Sequence, residues 1–257
     1  MLTPPEIARS LFAAGESKAR LPFGKMLLLA LLAGAYIALA GVGATAAAVT
    51  VESGSLAKLL SACVFPAGLS MVILAGSELF TGNCLMVMAL LERRITPAQL
   101  LRNWLTVYLG NAVGGAAVAA LAVYSHTASL FGDGLARSMV SIAESKAALG
   151  FGDAFLRGVL CNFLVCLAVW MAAASKRAEG KVIALFFPIL LFVLCGYEHC
   201  IANLYYLPAG AFAAAEYGVE TTLTLAGCLK NLAAVTLGNL VGGAALGVGY
   251  RFAYLKE

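Results

Sequence analysis

Two short segments share the pattern Gly-x-Glu-x-x-x-x-Asn, and both carry side chains that can bind an anion or exchange a proton. The first runs from Gly76 to Asn83 and the second from Gly196 to Asn203. The second contains His199, one of only 2 histidines in the chain. An imidazole titrates near neutral pH and donates hydrogen bonds, so it suits contact with a passing anion or proton exchange. A satisfied structural histidine is the plainer alternative.

Three more polar residues belong to these segments. Thr81 lies two positions past the counterpart of His199, and its hydroxyl could face the imidazole or bond to its own helix backbone. Glu78 and Glu198 could relay protons, but we expect them to be structural, accepting hydrogen bonds from unwound backbone N–H groups at breaks in the helices. Glu198 adjoins His199 and could also tune the imidazole.

Three asparagines stand in apolar surroundings: Asn111, Asn162 and Asn239. Hydrogen bonding between helices is the default role for an amide in such a place. Asn162 and Asn239 could instead line a pore. The glycine pairs that follow Asn111 and Asn239 predict sites where helices pack closely.

Composition places these residues in a membrane. Apolar residues make up 62% of the 257 residues and charged residues 12%, whereas a soluble domain has about 45–50% and about 25%. We therefore expect one transmembrane domain covering residues 1–257. The basic residues are split among short loops, so no nucleic-acid partner is expected. The 7 cysteines form no CxxC pair, so no metal site and no cofactor are expected.

Six apolar segments must position the polar residues. They cover residues 26–51, 56–91, 100–124, 155–174, 182–212 and 222–254. The second and fifth are longer than the roughly 20 residues that one span needs, so each predicts a broken helix. The expected interruptions are Pro66, Gly68, Gly76 and Gly82 in the second segment and Pro188, Gly196 and Pro208 in the fifth. Residues 1–23 predict an amphipathic surface helix, and residues 125–151 a polar connection.

The two halves of the chain are repeats. Residues 102–115 align without gaps on residues 230–243 and share the string Gly-Asn-x-Val-Gly-Gly. The first repeat covers residues 26–124 and the second residues 151–254. Because each repeat has three spans, an odd number, the second repeat must cross the membrane in the opposite direction to the first. This predicts a pseudo-two-fold axis in the membrane plane. If the amino terminus is in the cytoplasm, 12 Lys and Arg residues lie on the cytoplasmic side and 5 on the opposite side. We therefore expect a multi-pass protein of the plasma (inner) membrane with both termini in the cytoplasm.

Four motifs in order resemble the formate/nitrite transporter family: residues 76–82, 161–171, 196–203 and 238–243. The resemblance covers nearly the whole chain. It implies an all-α, aquaporin-like fold of six transmembrane helices in two inverted repeats, with the second and fifth helices broken. It also implies a homopentamer with a pore in each protomer.

The resemblance assigns roles that spacing alone does not. His199 becomes the central histidine and Thr81 its partner, Lys146 a vestibule residue, and Asn162 and Asn239 pore residues. Without the resemblance, Lys146 reads as a solvated loop charge. Six residues that would otherwise be ordinary core become constriction residues: Phe65, Leu69, Leu79, Phe80, Val165 and Phe192.

The expected function is passage of small monovalent anions of weak acids through the membrane. Moving an ion into a low-dielectric constriction costs on the order of 20 kcal/mol, whereas protonating a small carboxylate at neutral pH costs about 5 kcal/mol. Passage as the neutral acid, with Lys146 attracting the anion, is therefore the hypothesis. Formate is the first choice on family frequency alone, with nitrite or hydrosulfide as alternatives. Channel-like flow and proton coupling both fit the sequence.

Three rival functions are weaker. A neutral-solute pore of the aquaporin kind would use paired Asn-Pro-Ala motifs, and the sequence contains none. A membrane enzyme would need a nucleophile with its base, or a metal cluster. A structural scaffold would leave a histidine within a paired helix break unexplained.

Overall fold

Long apolar segments of this chain form helices because hydrocarbon offers no partner for a backbone N–H or C=O group. A computed structural model describes residues 1–255, in which all regular structure is helical. The helices are α1 (Pro4–Ala19), α2 (Phe23–Ala48), α3 (Gly54–Val64), α4 (Pro66–Ala75), α5 (Phe80–Asn83), α6 (Val87–Leu91), α7 (Pro97–Tyr124), α8 (Gly134–Ala148), α9 (Phe151–Ala173), α10 (Ala178–Leu194), α11 (Cys200–Tyr217) and α12 (Leu225–Tyr254). Lys256, which entered the charge count, lies outside the described residues.

These helices make six passes. Four are single helices, α2, α7, α9 and α12, each long and apolar enough to cross a membrane. The second pass is α3 and α4 followed by α5 and α6, and the fifth is α10 followed by α11. The chain is an integral membrane protein with two divided passes, as the overlong segments predicted.

Each divided pass is interrupted at a glycine in the left-handed region. Gly76 ends α4 with φ +79°, and Gly196 follows α10 with φ +68°. Other expected interruptions are not breaks, because Pro188 lies inside α10 and Pro208 inside α11. Neighbouring helices and local adjustments re-satisfy the backbone groups that a proline frees in a membrane helix.

Small residues bring two helix pairs together at equivalent places in the two repeats. A Cβ added to Gly114 on α7 would collide with the carbonyl oxygen of Leu31 on α2. A Cβ added to Gly242 on α12 would collide with the carbonyl oxygen of Val159 on α9. The α2–α7 and α9–α12 pairs therefore form the same close contact, which supports the inverted repeat.

The segment predicted as a polar connection contains α8. Leu135, Met139, Val140 and Ala143 recur at helical spacing, and this buried face packs against α11. The amino-terminal helix α1 also docks on the bundle rather than on lipid alone, since Ile7, Ala8, Gly15 and Ala19 are buried. Both helices precede a repeat, and both bring a lysine to the site described next.

Candidate transport pore

The two interrupted passes meet at a hydrogen bond between Thr81 and His199. Thr81 Oγ1 lies 2.9 Å from His199 Nε2, and the two residues are 0% and 3% exposed. The Ala202 backbone N–H donates to His199 Nδ1 over 3.1 Å. Because Nδ1 accepts this bond, a neutral ring carries its proton on Nε2 and donates it to Thr81. The start of α11 thus fixes both the orientation and the tautomer of the imidazole.

Two cavities lie on either side of this centre, and we name each by its lysine. The Lys146 cavity has a volume of about 340 Å³ and is lined by His199, Phe65 and Phe192 among others. The Lys18 cavity has a volume of about 350 Å³, and Leu69 and Leu79 are among its lining residues. Four of the six expected constriction residues therefore lie on the apolar walls that separate the cavities.

Aromatic packing shapes this apolar region. The Phe65 and Phe192 rings meet edge to face with centroids 5.7 Å apart, and the Phe192 ring also stacks on the His199 imidazole at 5.8 Å. Phe80 lies edge to face against Tyr108 at 5.0 Å. Phe80 and Val165 are buried in the same apolar cluster but line neither cavity.

A polar network holds Glu198 beside the Lys146 cavity. Lys146 Nζ donates to Glu198 Oε1 over 2.9 Å, and Asn203 donates to Glu198 Oε2 over 2.7 Å. Asn203 also donates to Asn231, whose own amide donates to the Lys146 carbonyl oxygen over 2.9 Å. This closed set of bonds compensates the burial of a carboxylate and an ammonium.

The Lys18 cavity carries the matching network. Lys18 Nζ donates to Glu78 Oε1 over 2.8 Å and to Asn83 Oδ1 over 2.9 Å. Asn83 in turn donates to Glu78 Oε2 over 2.7 Å and to Asn103 over 2.9 Å. Both glutamates thus lie at a helix break, each with a lysine and two asparagines around it. Their donors in the described residues are lysine and asparagine side chains, and not the unwound backbone N–H groups that the sequence led us to expect.

Asn111 and Asn239 clamp the two breaks to the neighbouring helices. Asn239 Nδ2 donates to the carbonyl oxygens of Gly158 and Glu198, and its Oδ1 accepts from the Cys200 N–H. Asn111 forms the equivalent three bonds in the first repeat, to backbone groups of residues 30, 78 and 80. Asn162 Nδ2 donates to the Asn239 and Thr81 carbonyl oxygens. The amides expected in the pore wall are thus directed at backbone groups.

The family is decided by comparison with known sequences. The sequence profile described as formate/nitrite transporter matches residues 5–253. The chain belongs to the formate/nitrite transporter family. A probable formate transporter of Methanothermobacter thermautotrophicus is 38% identical over 275 residues, covering 99% of this chain and 98% of that protein. The formate channel FocA of Haemophilus influenzae is 40% identical over 237 residues, covering 86% and 83%.

Solved structures give the same result for the fold. A structure described as an FNT family ion channel superimposes with a TM-score of 0.87 at 32% identity, covering 96% of this chain and 98% of that one. A pentameric formate channel with formate bound gives a TM-score of 0.81 at 32% identity, covering 91% and 98%. The predicted all-α fold is confirmed, and this formate/nitrite transporter family member is not an enzyme.

Three residues of this family member's polar networks are not predicted from the sequence: Lys18, Asn103 and Asn231. Around Lys18 the sequence predicts only a surface helix, yet Lys18 is the counterpart of Lys146 in the other half of the chain. A signal was present, since residues 18–24 read KARLPFG and residues 146–152 read KAALGFG. Extending the repeat alignment by one helix toward the amino terminus would have paired the two lysines.

Proposed function

We propose that this protein conducts small monovalent anions of weak acids through the membrane, with formate as the first substrate. The observation that carries the proposal is the His199–Thr81 hydrogen bond, which lies in an apolar region between two cavities that each hold a lysine. Relatives described as a formate transporter and a formate channel support formate over nitrite or hydrosulfide. The absence of Asn-Pro-Ala motifs argues against a neutral-solute pore.

The proposed route uses the neutral acid in the narrow part. An anion enters a cavity, takes a proton from the water there, crosses the region of Phe65 and Phe192 without carrying a charge into low dielectric, and returns the proton to water in the other cavity. At the centre, His199 Nε2–H donates to the substrate in place of Thr81. Because Nδ1 is engaged by the Ala202 N–H, the ring meets the substrate through Nε2 alone. Any proton given to the substrate must therefore return to the same atom.

The proposed assembly is a homopentamer with one pore in each protomer. The pentameric formate channel to which this chain is similar supports that state. In the proposed orientation both termini face the cytoplasm, the Lys146 cavity opens outward and the Lys18 cavity opens inward. The location is the plasma (inner) membrane, where lipid or neighbouring protomers cover the exposed leucines of α7, such as Leu105 and Leu109.

Flux into proteoliposomes tests the proposal. Purified protein is reconstituted, and uptake of formate, nitrite and hydrosulfide is measured side by side at several pH values. We expect formate uptake to be fastest and to rise as the pH falls, because the neutral acid becomes more abundant. Equal flux of all three anions without pH dependence would instead indicate an open anion pore and contradict passage as the acid.

His199→Leu is the matched variant for the central residue, because its counterpart in the first repeat is Leu79. We expect the variant to change the dependence of formate flux on pH, since it removes the only ring donor at the centre. Thr81→Ser, which keeps the hydroxyl, is the control and is expected to keep the wild-type profile. A wild-type pH profile in His199→Leu would remove the proton-exchange role of the imidazole.

A further inference from the structure

The two cavities differ in their basic residues. The Lys146 cavity is lined by Lys58, Lys146 and Arg157, against one carboxylate, Glu198. The Lys18 cavity is lined by one basic residue, Lys18, against Glu78. In formal charge, the first cavity therefore holds two cations more than its carboxylate neutralises, whereas the second is balanced.

The lysine that faces a glutamate is not the source of this surplus. Lys146 lies 2.9 Å from Glu198 and its ammonium also sits 5.3 Å from the centroid of the Tyr206 ring. Lys18 is engaged in the same way with Glu78 at 2.8 Å. Each of these lysine–glutamate pairs has no net formal charge. The surplus positive charge of the Lys146 cavity therefore comes from Lys58 and Arg157.

Lys58 and Arg157 have exposed side chains without a direct ion-pair partner in the described part of the chain. Among residues 1–255, neither side chain forms a hydrogen bond or an ion pair with another residue. Asp153 lies one turn before Arg157 on α9, and Glu52 precedes α3, but neither acid lines the cavity. Two unneutralised cations at the rim of one concave surface raise the local concentration of anions, and salt screens the effect.

The repeat shows that the fold does not require these two charges. The Arg157 carbonyl oxygen accepts a hydrogen bond from the Glu198 N–H, and the Leu29 carbonyl oxygen accepts the equivalent bond from Glu78. The backbone role is thus shared between the halves, whereas the guanidinium is present in one half only. Lys58 likewise corresponds to Ala178 when the two breaks are aligned.

We propose that Lys58 and Arg157 form an anion-collecting pair at the rim of the Lys146 cavity, which favours small anions, monovalent carboxylates among them, over neutral solutes and cations by charge. No such pair lines the Lys18 cavity within residues 1–255, so we expect the entrance of one cavity to gather anions and that of the other not to. This inference rests on the proposed function for its substrate. The local electric field that it requires can be measured without any transport.

The field is read from the reactivity of a reporter thiol. Ser145 lines the Lys146 cavity and is exposed, so Ser145→Cys is introduced after replacing Cys63, Cys195 and Cys228 by Ser. Its modification by an anionic and by a cationic methanethiosulfonate is timed in detergent at low ionic strength. We expect Lys58→Gln with Arg157→Gln to lower the anionic-to-cationic rate ratio by about five-fold or more, a loss that added salt abolishes.

The matched control removes two charges elsewhere on the same side. Arg137 and Lys230 are exposed and line other cavities, so Arg137→Gln with Lys230→Gln is expected to leave the ratio within two-fold, as a rough guide from screening. An equal fall of the anionic-to-cationic rate ratio in both double variants, or no fall in either, would contradict the proposal that Lys58 and Arg157 collect anions.

Flux supplies the second measurement. In proteoliposomes at low ionic strength, the Lys58→Gln and Arg157→Gln double variant is expected to raise the formate concentration at half-maximal uptake by about five-fold, with the maximal rate kept. If the formate concentration at half-maximal uptake is unchanged, the proposal that Lys58 and Arg157 collect substrate is wrong. If the wild type carries no formate while the reporter ratio falls as expected, the proposed function fails and the anion-collecting field stands.

Discussion

Lys146 bonds to one partner near its cavity, Glu198, whereas Lys18 bonds to two, Glu78 and Asn83. In the second repeat the amide oxygen of Asn203, the counterpart of Asn83, is buried and has no hydrogen-bond partner among residues 1–255. The side chain of Lys146 is 15% exposed and that of Lys18 is 30% exposed. The network around Lys18 is therefore complete. The network around Lys146 is more buried but lacks one of the hydrogen bonds.

Comparison of the two halves distinguishes residues that support the helix breaks from residues that line the cavities. Contacts that hold the breaks open are the same in both halves, as the backbone bonds of Asn111 and Asn239 demonstrate. Residues that line the two cavities differ, because His199 in one half corresponds to Leu79 in the other. A duplicated fold keeps what its helices need to pack and lets the residues at the centre and the rims diverge.

The largest expected effect comes from the shared scaffold. Gly114→Val and Gly242→Val each place a side chain on a backbone carbonyl of the partner helix, at Leu31 and Val159. Neither helix can move away without breaking the α2–α7 or α9–α12 contact, so each change is expected to cost more than about 4–5 kcal/mol and to prevent stable folding. The yield and thermal unfolding of the detergent-purified protein measure the loss.

Gly249→Ala is the control for this prediction. A Cβ at Gly249 on α12 meets no atom of the described residues within 4 Å, so stability should be kept or slightly increased, since alanine is the better helix former. If one of the two valine variants folded normally while the other failed, the equivalence of the two helix pairs would be wrong.

The second prediction concerns the unequal networks. Removing one partner of a buried ion pair costs about 3–5 kcal/mol because the other charge stays buried. Glu198→Gln removes the ion-pair partner that Lys146 has within residues 1–255, whereas after Glu78→Gln the Lys18 ammonium keeps its bond to Asn83. We therefore expect Glu198→Gln to lower the unfolding temperature more than Glu78→Gln.

Glu179→Gln calibrates this comparison. Glu179 pairs with Arg177 at the surface, where the two side chains are 62% and 84% exposed, and such pairs contribute little. Adding Lys146→Met to Glu198→Gln should restore part of the stability by removing the stranded charge. Equal destabilisation by Glu78→Gln and Glu198→Gln would show that the missing Asn203 contact has no energetic consequence.

The two helix breaks could be predicted from the sequence because the same pattern occurs in both repeats. A glycine, a glutamate and an asparagine at fixed spacing inside apolar segments predicted both breaks, and the structure puts Gly76 and Gly196 there. The matching positions of Thr81 and His199 left a contact between them as one of two alternatives, and the structure shows that contact. Repetition supplied long-range information that hydrophobic periodicity alone does not carry.

Other features could not be predicted, for identifiable reasons. An amide in an apolar helix satisfies the same pattern whether it faces a pore or a backbone carbonyl, so the direction of Asn162 and Asn239 had to be observed. Lys146 looked like a solvated charge because α8 is short and only weakly apolar. Its burial depends on packing against α11, which is separated from α8 in the sequence by the two helices α9 and α10.

The smallest expected effect distinguishes the two helices that precede the repeats. The Thr3 N–H and hydroxyl hold the pKa of Glu6 on α1 below its ordinary value of 4.5, and the Thr222 N–H with the hydroxyls of Thr221 and Thr222 does the same for Glu144 on α8. A carboxyl whose folded pKa is depressed adds stability above its unfolded pKa and loses it as the pH falls through the folded pKa. Glu6→Gln and Glu144→Gln should therefore both destabilise at pH 7, in this case without a large change.

Thermal unfolding in detergent at pH 7 and at about pH 3 tests the sign and the order of these effects. Glu144 accepts from three donors and joins α8 to the loop before α12, whereas Glu6 caps its own helix, so Glu144→Gln should have the larger effect at pH 7. At the lower pH the wild-type carboxyls approach the protonated state, and both differences should shrink. A difference that stays constant with pH would mean that the side chains act through packing instead of charge, and that α1 and α8 are held in place by their apolar faces alone.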